Sequence, residues 1–490
     1  MSDEGILFQG EVSEDRRQSL GFSLDCDSLF GDPADSPLGD DFLESAADST
    51  SSEARPLHQG DPNHGLRWIS DGLFFSVKPT WTAEPTIDSI VLTLQKTIGP
   101  DKQYKVEHLW DGAYNKMYSV LCEQNYLVMR VSLPVCPKAK TESEVATLRW
   151  IAKNTSLPVP KVHHYDSSRN NPIGFEWILM DWIDGIPLSQ CWPHITQDAK
   201  ERIVKQIAAY TATAFGKQFR GIGNIYSSES PAPGCQPPVG EMIPFRTAFK
   251  WTERRLRLVG AELLVRIEET EDEGHRKTAA RMLELVDRLR ELEDGVFQSA
   301  NSGSGLEPIS SDESTDDDED PAGDATKVHE PTVLWHDNLS LDNILVDENG
   351  ILSGVIDWQC VSCLPLYEAC QFPTFLQQEY DRNIEPLTPH GVTRVEPDGS
   401  QGQQRYDRDL KQHHITLLRK VYIDEMRDIC PGWIDAFKNG KDLRDFEAAV
   451  QNCDNEFAYE LVEEWLDAVE RGENPAKTLW RLHVRLMGSV

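Results

Sequence analysis

The segment NILVDENGILSGVIDW, Asn343 to Trp358, restricts the fold more than any other stretch of the chain. Two apolar runs flank Glu348-Asn349-Gly350, and a three-residue loop with glycine in the left-handed position is a common hairpin closure. Closure there pairs Asp347 with Ile351 and sets Asn343 opposite Val355. Asp357 then follows two residues further along the same face, its side chain about 7 to 8 Å or less from that of Asn343 across the diagonal. An amide oxygen and a carboxylate that converge on one point are hard ligands. They suit Mg2+, which keeps several waters and takes the rest of its shell from phosphate oxygens. Alone, Asn343 reads as the start of a turn and Asp357 as a strand-end acid; together, after His336, they read as a metal pair.

Upstream, YKVEHLWDGAYNKMYSVLCEQNYLVMRVSL (Tyr104 to Leu133) alternates apolar and polar residues in three runs, broken at Asp111-Gly112 and at Glu123 to Asn125. That pattern is an antiparallel meander. Thr141 opens a helix, with Glu144 three residues on in a capping-box arrangement and Val145, Leu148 and Ile151 at helical spacing. FEWILMDWIDG (Phe175 to Gly185) is a further strand that ends in a turn. Beyond it the chain reads as mainly helical: Thr196 to Phe215, about 245 to 297 and about 405 to 490, interrupted by the hairpin at 343 to 357. The expected class is α+β, with a small antiparallel-sheet lobe at 66–184 followed by a larger helical lobe at 185–490.

The formal net charge of −34 is concentrated. Residues 1–65 carry a net −12 and residues 301–330 a net −9, and both are rich in Ser, Asp, Gly and Pro. Such segments bury too little apolar surface to offset the entropy of ordering, so both read as disordered appendages. The run SSDESTDDDED (Ser310 to Asp320) has two readings, a phosphorylated loop that recruits protein partners and a solvated insertion. A chain this acidic is a poor nucleic-acid binder. No run has the roughly 20 apolar residues of a membrane helix, the start MSDEGILFQG lacks the order of a signal peptide, and the expected location is cytoplasmic. Ten scattered cysteines suit a reducing compartment. Cys360 and Cys363 form one C-x-x-C without a second pair at zinc spacing, and read first as buried packing thiols.

Several ordered motifs between about 104 and 380 resemble the aminoglycoside phosphotransferase family, in particular its large fungal branch. They are L-x-H-x-x-L-x-x-x-N-I-L-V-D (Leu334 to Asp347), I-D-W (Ile356 to Trp358), K-T-E-S-E-V-A-T-L (Lys140 to Leu148) and N-P-I-G-F-E-W-I-L-M (Asn171 to Met180). The resemblance implies a protein-kinase-like two-lobe fold and transfer of the γ-phosphoryl group of ATP to a hydroxyl of a small molecule. It implies Asn343 and Asp357 as Mg2+ ligands and His336 as the packing histidine that opens the catalytic loop. DGAYNKMYS (Asp111 to Ser119), with Gly112 and Asn115, corresponds to the phosphate-covering turn, although with one glycine it also reads as a plain hairpin. Met180, Asp181 and Trp182 fall at the hinge that meets adenine. Arg130 takes the position of the third-strand cation, usually lysine, and Glu144 that of its partner; Glu144 shares a stripe with Leu148 and Ile151, which turns its carboxylate inward.

One departure concerns the base. The family loop runs H-x-D-x-x-x-x-N, and here the residue two after His336 is Asn338. An amide orients a hydroxyl but cannot take its proton. Asp337 is one residue early, which should turn its side chain away from the acceptor; it remains a displaced base only if the loop bulges. Asp342 is placed to attract a cationic acceptor, or is a solvated loop acid. General-base help is worth about 10² to 10⁴-fold in rate, whereas phosphoryl transfer rests mainly on positioning and charge neutralisation. Two functions follow: a slow small-molecule kinase, and a pseudokinase that binds nucleotide as an interaction scaffold.

Overall fold

The alternation in the first half of the chain produces two faces with different fates. The computed structural model of the protein describes residues 65–70, 77–227, 241–302, 330–377, 381–386, 399–473 and 479. The two acidic segments expected to be disordered fall almost wholly outside these residues. The first described elements are a two-stranded hairpin, β1 (Leu66–Ser70) and β2 (Val77–Trp81), and helix α1 (Ile87–Thr97), whose Thr86 side chain accepts from the Ser89 amide. Then come β3 (Tyr104–Asp111), β4 (Asn115–Cys122), β5 (Asn125–Ser132), helix α2 (Ala139–Asn154), β6 (Val162–Asp166) and β7 (Glu176–Asp181). The five strands form one antiparallel sheet in the order β3-β4-β5-β7-β6.

Period-two alternation sorts the side chains of this sheet. Met129, Val131, Trp177 and Leu179 pack outward with Ile90 and Leu94 of α1. Their neighbours Val128, Ile178 and Met180 face inward, toward a core shared with α2 and the helical part. Arg130 belongs to this inner set by parity and lies opposite Met117, itself an inner residue.

The remainder is mostly helical, with α3 (Gln197–Phe215), α4 (Ala248–Glu269), α5 (Glu273–Ser302), α6 (Gly399–Ile429), α7 (Pro431–Asn439), α8 (Lys441–Asn452) and α9 (Tyr459–Glu470). Thr196 caps α3 through the Ala199 amide. This order is the kinase-like α+β architecture, an antiparallel sheet followed by a helical part. The helical part contains more strand than expected: β9 (Phe219–Arg220), β10 (Ile222–Ile225), β11 (Glu241–Phe245), β12 (Pro331–Trp335) and β15 (Ser362–Pro365) make a second five-stranded sheet. Runs of two to five residues from distant parts of the chain are too short to display a period, so only the tertiary pairing reveals them.

The hairpin forms from β13 (Ile344–Val346) and β14 (Leu352–Val355). Gly350 adopts φ +70°, and the Asp347 carboxylate accepts from the Asn349 and Ile351 amides, which rigidifies the turn. Its register differs from the expected one. Val346 pairs with Leu352 but Leu345 pairs with Gly354, so Ser353 is an extra residue and Ile344, not Asn343, faces Val355. A bulge of one residue changes the parity of everything beyond it. The Asn343 carbonyl consequently accepts from Ile356, directly before Asp357.

Candidate active site

Four elements converge on a cleft between the sheet and the hairpin. Its wall includes Asn115 and Met117 of β4, Val128 and Arg130 of β5, Glu144 and Leu148 of α2, and Met180 to Ile183 at the end of β7. Leu345, Ile356, Asp357 and Trp358 close it from the hairpin side. Of the residues singled out in the sequence, Asn115, Arg130, Glu144, Met180, Asp181, Trp182 and Asp357 therefore meet in one cleft.

Arg130 is 3% exposed and Glu144 2%. The Arg130 guanidinium pairs with Glu144 through Nη2 and lies 3.9 Å from Asp357 through Nη1. Burial lowers the Arg130 pKa to about 10, and the Asp357 charge opposes the shift. The Asp357 carboxyl is raised by burial and drawn back by Arg130, Lys140 and a Gln359 hydrogen bond. Asp357 has φ +61°, an unfavourable conformation for a side-chain-bearing residue, and such strain persists only where the surroundings enforce it.

Glu144 is not a capping-box residue. Helix α2 starts before Thr141, after Lys138 at φ +67°, and the amide of Lys138 donates to the Glu176 carboxylate from β7 at 2.5 Å. A neighbouring strand supplies the anion at the helix entry, leaving Glu144 to face Arg130.

The turn from Asp111 to Asn115 is closed by the Gly112 amide donating to the Asn115 carbonyl. A Cβ at Gly112 would fall 2.5 Å from the Trp110 ring, so any larger residue there would have to displace that ring. Gly112 itself does not line the cavity; Asn115 does. The Asn115 Oδ1 accepts from Lys140 Nζ at 2.9 Å and from Ser132 Oγ at 3.1 Å, while its Nδ2 donates to Gln359 Oε1 at 2.8 Å. Lys140 and Gln359 were not singled out by the sequence reading. Lys140 had a visible signal, since it precedes Glu144 by four residues and so occupies the same helix face.

Asn343 is buried and its Nδ2 donates to the Asn338 carbonyl at 2.9 Å; unlike Asp357, it does not line the cavity. Among the described residues no three His, Cys, Asp or Glu side chains gather to hold a metal ion. The hard-oxygen set of Asn343 and Asp357 fits a cation that completes its shell with phosphate and water.

The catalytic-loop end is more open. His336 is buried, its ring 4.5 Å from that of Trp358, and burial lowers its pKa to about 4, so it is neutral at physiological pH. Asn338 is half-buried and Asp337 exposed. The Asp337 carboxyl is nevertheless raised, first by desolvation and last by the charge of Asp357, while its carbonyl accepts from Thr374 Oγ1. Asp342 is half-buried and accepts from Ser189 Oγ at 2.5 Å; it does not line the cavity. The C-x-x-C pair is split, with Cys363 buried in β15 and Cys360 exposed at φ +57°, so the reading of two packed thiols holds only for Cys363.

The model of a family described as the phosphotransferase enzyme family matches residues 105–368. A subtelomeric hrmA-associated cluster protein of Aspergillus fumigatus is 31% identical over 139 residues, 28% of this chain and 26% of that protein. Altered inheritance of mitochondria protein 9, mitochondrial, of Meyerozyma guilliermondii is 28% identical over 143 residues, 27% of this chain and 24% of that protein. The chain thus spans about a quarter of the length of these curated relatives. Among solved structures, aminoglycoside phosphotransferase APH(4)-Ia, a thermostable mutant with ADP and hygromycin B, aligns at 14% identity and TM-score 0.39, covering 80% of this chain and all of that one. The GDP and kanamycin complex of an APH(2")-III enzyme aligns at 12% identity and TM-score 0.36, covering 82% and 97%.

Proposed function

Because the chain belongs to the phosphotransferase enzyme family, we propose that it transfers the γ-phosphoryl group of ATP, bound with Mg2+, to a hydroxyl of a small molecule. The observation that carries this reading is the buried Arg130 held between Glu144 and Asp357 on the cavity wall. A guanidinium fixed on one side by a carboxylate presents its remaining N–H donors in a rigid fork, which matches phosphate oxygens. Asn343 and Asp357 would hold the metal, which when bound neutralises charge on the transferred group. Met180, Asp181 and Trp182 would flank the nucleobase, and Gly112 and Asn115 would cover the phosphates.

At the acceptor side, Asn338 would orient the hydroxyl and Asp337 would accept its proton as a displaced base. Two features support Asp337. Desolvation raises its carboxyl above the ordinary value, and it feels the charge of Asp357. A proton acceptor with a pKa shifted toward neutrality is better matched to the reaction. Asp342, held by Ser189, keeps acceptor capacity for a cationic group of the substrate. The scattered cysteines, none joined in a disulfide among the described residues, suit a reducing compartment such as the cytoplasm; among the described residues no helix is long and apolar enough to cross a membrane.

The amide at 338 favours a second reading, a pseudokinase that binds nucleotide and recruits partners through its acidic segments. Calorimetric titration of the full chain with ATP and Mg2+ tests what both readings share. Binding at or below millimolar concentration that disappears in Arg130→Met is the expected result; no binding by the wild type would overturn both.

A further inference from the structure

Arg130 alone leaves the phosphate end of the cavity short of positive charge. One guanidinium faces two carboxylates, Glu144 and Asp357, so the cluster is net anionic where a polyanion is to bind. Lys140, on the Glu144 face of α2, is 6% exposed, and the acceptor it has in the structure is the Asn115 Oδ1. A buried ammonium has three N–H donors and normally needs an acceptor for each. Asn115 lines the cavity, and its amide bridges the ammonium to Gln359, two residues beyond Asp357.

We propose that Lys140 is a second phosphate-binding cation of the nucleotide site, presented beside Arg130 by Asn115 and completed by triphosphate oxygens. The inference rests on the phosphotransferase reading and adds a residue to it. Lys140 supplies the point charge for which lysine is suited, while Arg130 supplies a planar fork already oriented by Glu144. The two roles that a single third-strand lysine would combine are thereby divided between β5 and the first turn of α2.

The charge of Lys140 is conditional. Burial first and Arg130 second lower its pKa to about 7, against the opposing charges of Cys360, Asp357 and Glu176; Glu144 lies one helical turn away. Above pH 7 the free site therefore holds a neutral amine, and an arriving triphosphate favours the ammonium. Binding then takes up a proton, and affinity falls as pH rises, by up to about tenfold per pH unit. Arginine at 140 would stay charged throughout.

The test is calorimetric titration of the full chain with Mg2+ and a non-hydrolysable ATP analogue between pH 6.5 and 8.5. Wild type, Lys140→Met and Lys140→Arg are compared, each first checked by thermal melting. We expect wild-type affinity to fall with pH, Lys140→Met to bind at least about tenfold more weakly at pH 6.5, and Lys140→Arg to bind without the pH slope. Equal binding by wild type and Lys140→Met, or an unchanged slope in Lys140→Arg, overturns the proposal while leaving the phosphotransferase reading intact. Absence of binding by the wild type overturns both.

Discussion

The two ends of the cleft handle charge in opposite ways. At the sheet end, Arg130, Glu144 and Lys140 are nine-tenths or more buried, Arg130 and Glu144 pair with each other, and Asn115 ties β4, α2 and the loop after Asp357 together. At the loop end Asp337 is exposed, Asn338 is half-buried, and Asp342 turns to a serine hydroxyl. Buried charges are tolerated only when paired and hydrogen-bonded, so the first arrangement is one in which each member holds its neighbour in place. The second leaves its polar groups free to adjust to an acceptor. On the proposed function, nucleotide handling and proton removal would therefore be separable, and the departure from the family loop would affect only the latter.

Breaking the sheet end should cost most. Asp357→Ala removes a proposed metal ligand and one of the two carboxylates near Arg130, and turnover of ATP should fall about 10² to 10³-fold. A coupled assay for ADP release measures it.

A direct contrast comes from deleting one acid at each end. Glu144→Ala leaves Arg130 buried with only the longer contact to Asp357, and should lower unfolding free energy by about 3 to 5 kcal/mol, since breaking a buried pair strands a charge. Asp342→Ala removes a half-buried hydrogen bond to Ser189 and should cost about 1 kcal/mol. Urea titrations of both variants measure the difference, and equal losses would contradict it.

The smallest expected effect is at the bridge. Gln359→Ala removes the acceptor of the Asn115 amide, which should raise the apparent KM for ATP a few-fold with kcat nearly unchanged, since one neutral hydrogen bond contributes about 1 kcal/mol. A fall in kcat without a change in KM would instead tie the bridge to the chemical step.

The parts of this site that were legible in the sequence are those that repeat a period. Alternation located the strands that carry Arg130 and Met180, helical spacing located Glu144, and Glu348-Asn349-Gly350 located the hairpin. What was not legible depends on single residues with no period. The Ser353 bulge changed which residue faces Val355. The helix entry moved upstream of Thr141 because Glu176, on a strand formed later in the chain, captures the Lys138 amide. Lys140 shares the inward helix face of Glu144, but its partner Asn115 comes from a distant strand and only the tertiary fold brings the two together, and the second sheet is built from strands too short to announce themselves.

On the proposed function, turnover rests on Asp337. Single-turnover transfer of labelled γ-phosphate from ATP, to water or to a hydroxyl acceptor, should proceed slowly in the wild type. Its rate should rise with pH along a limb displaced upward from the ordinary aspartate value, because the Asp337 carboxyl is raised and must lose its proton to act. Asp337→Ala should lower the rate about 10² to 10⁴-fold and abolish that limb. If Asp337→Ala turns over like the wild type while Asn338→Asp gains a large rate, the displaced base is contradicted and the chain is a nucleotide-binding scaffold.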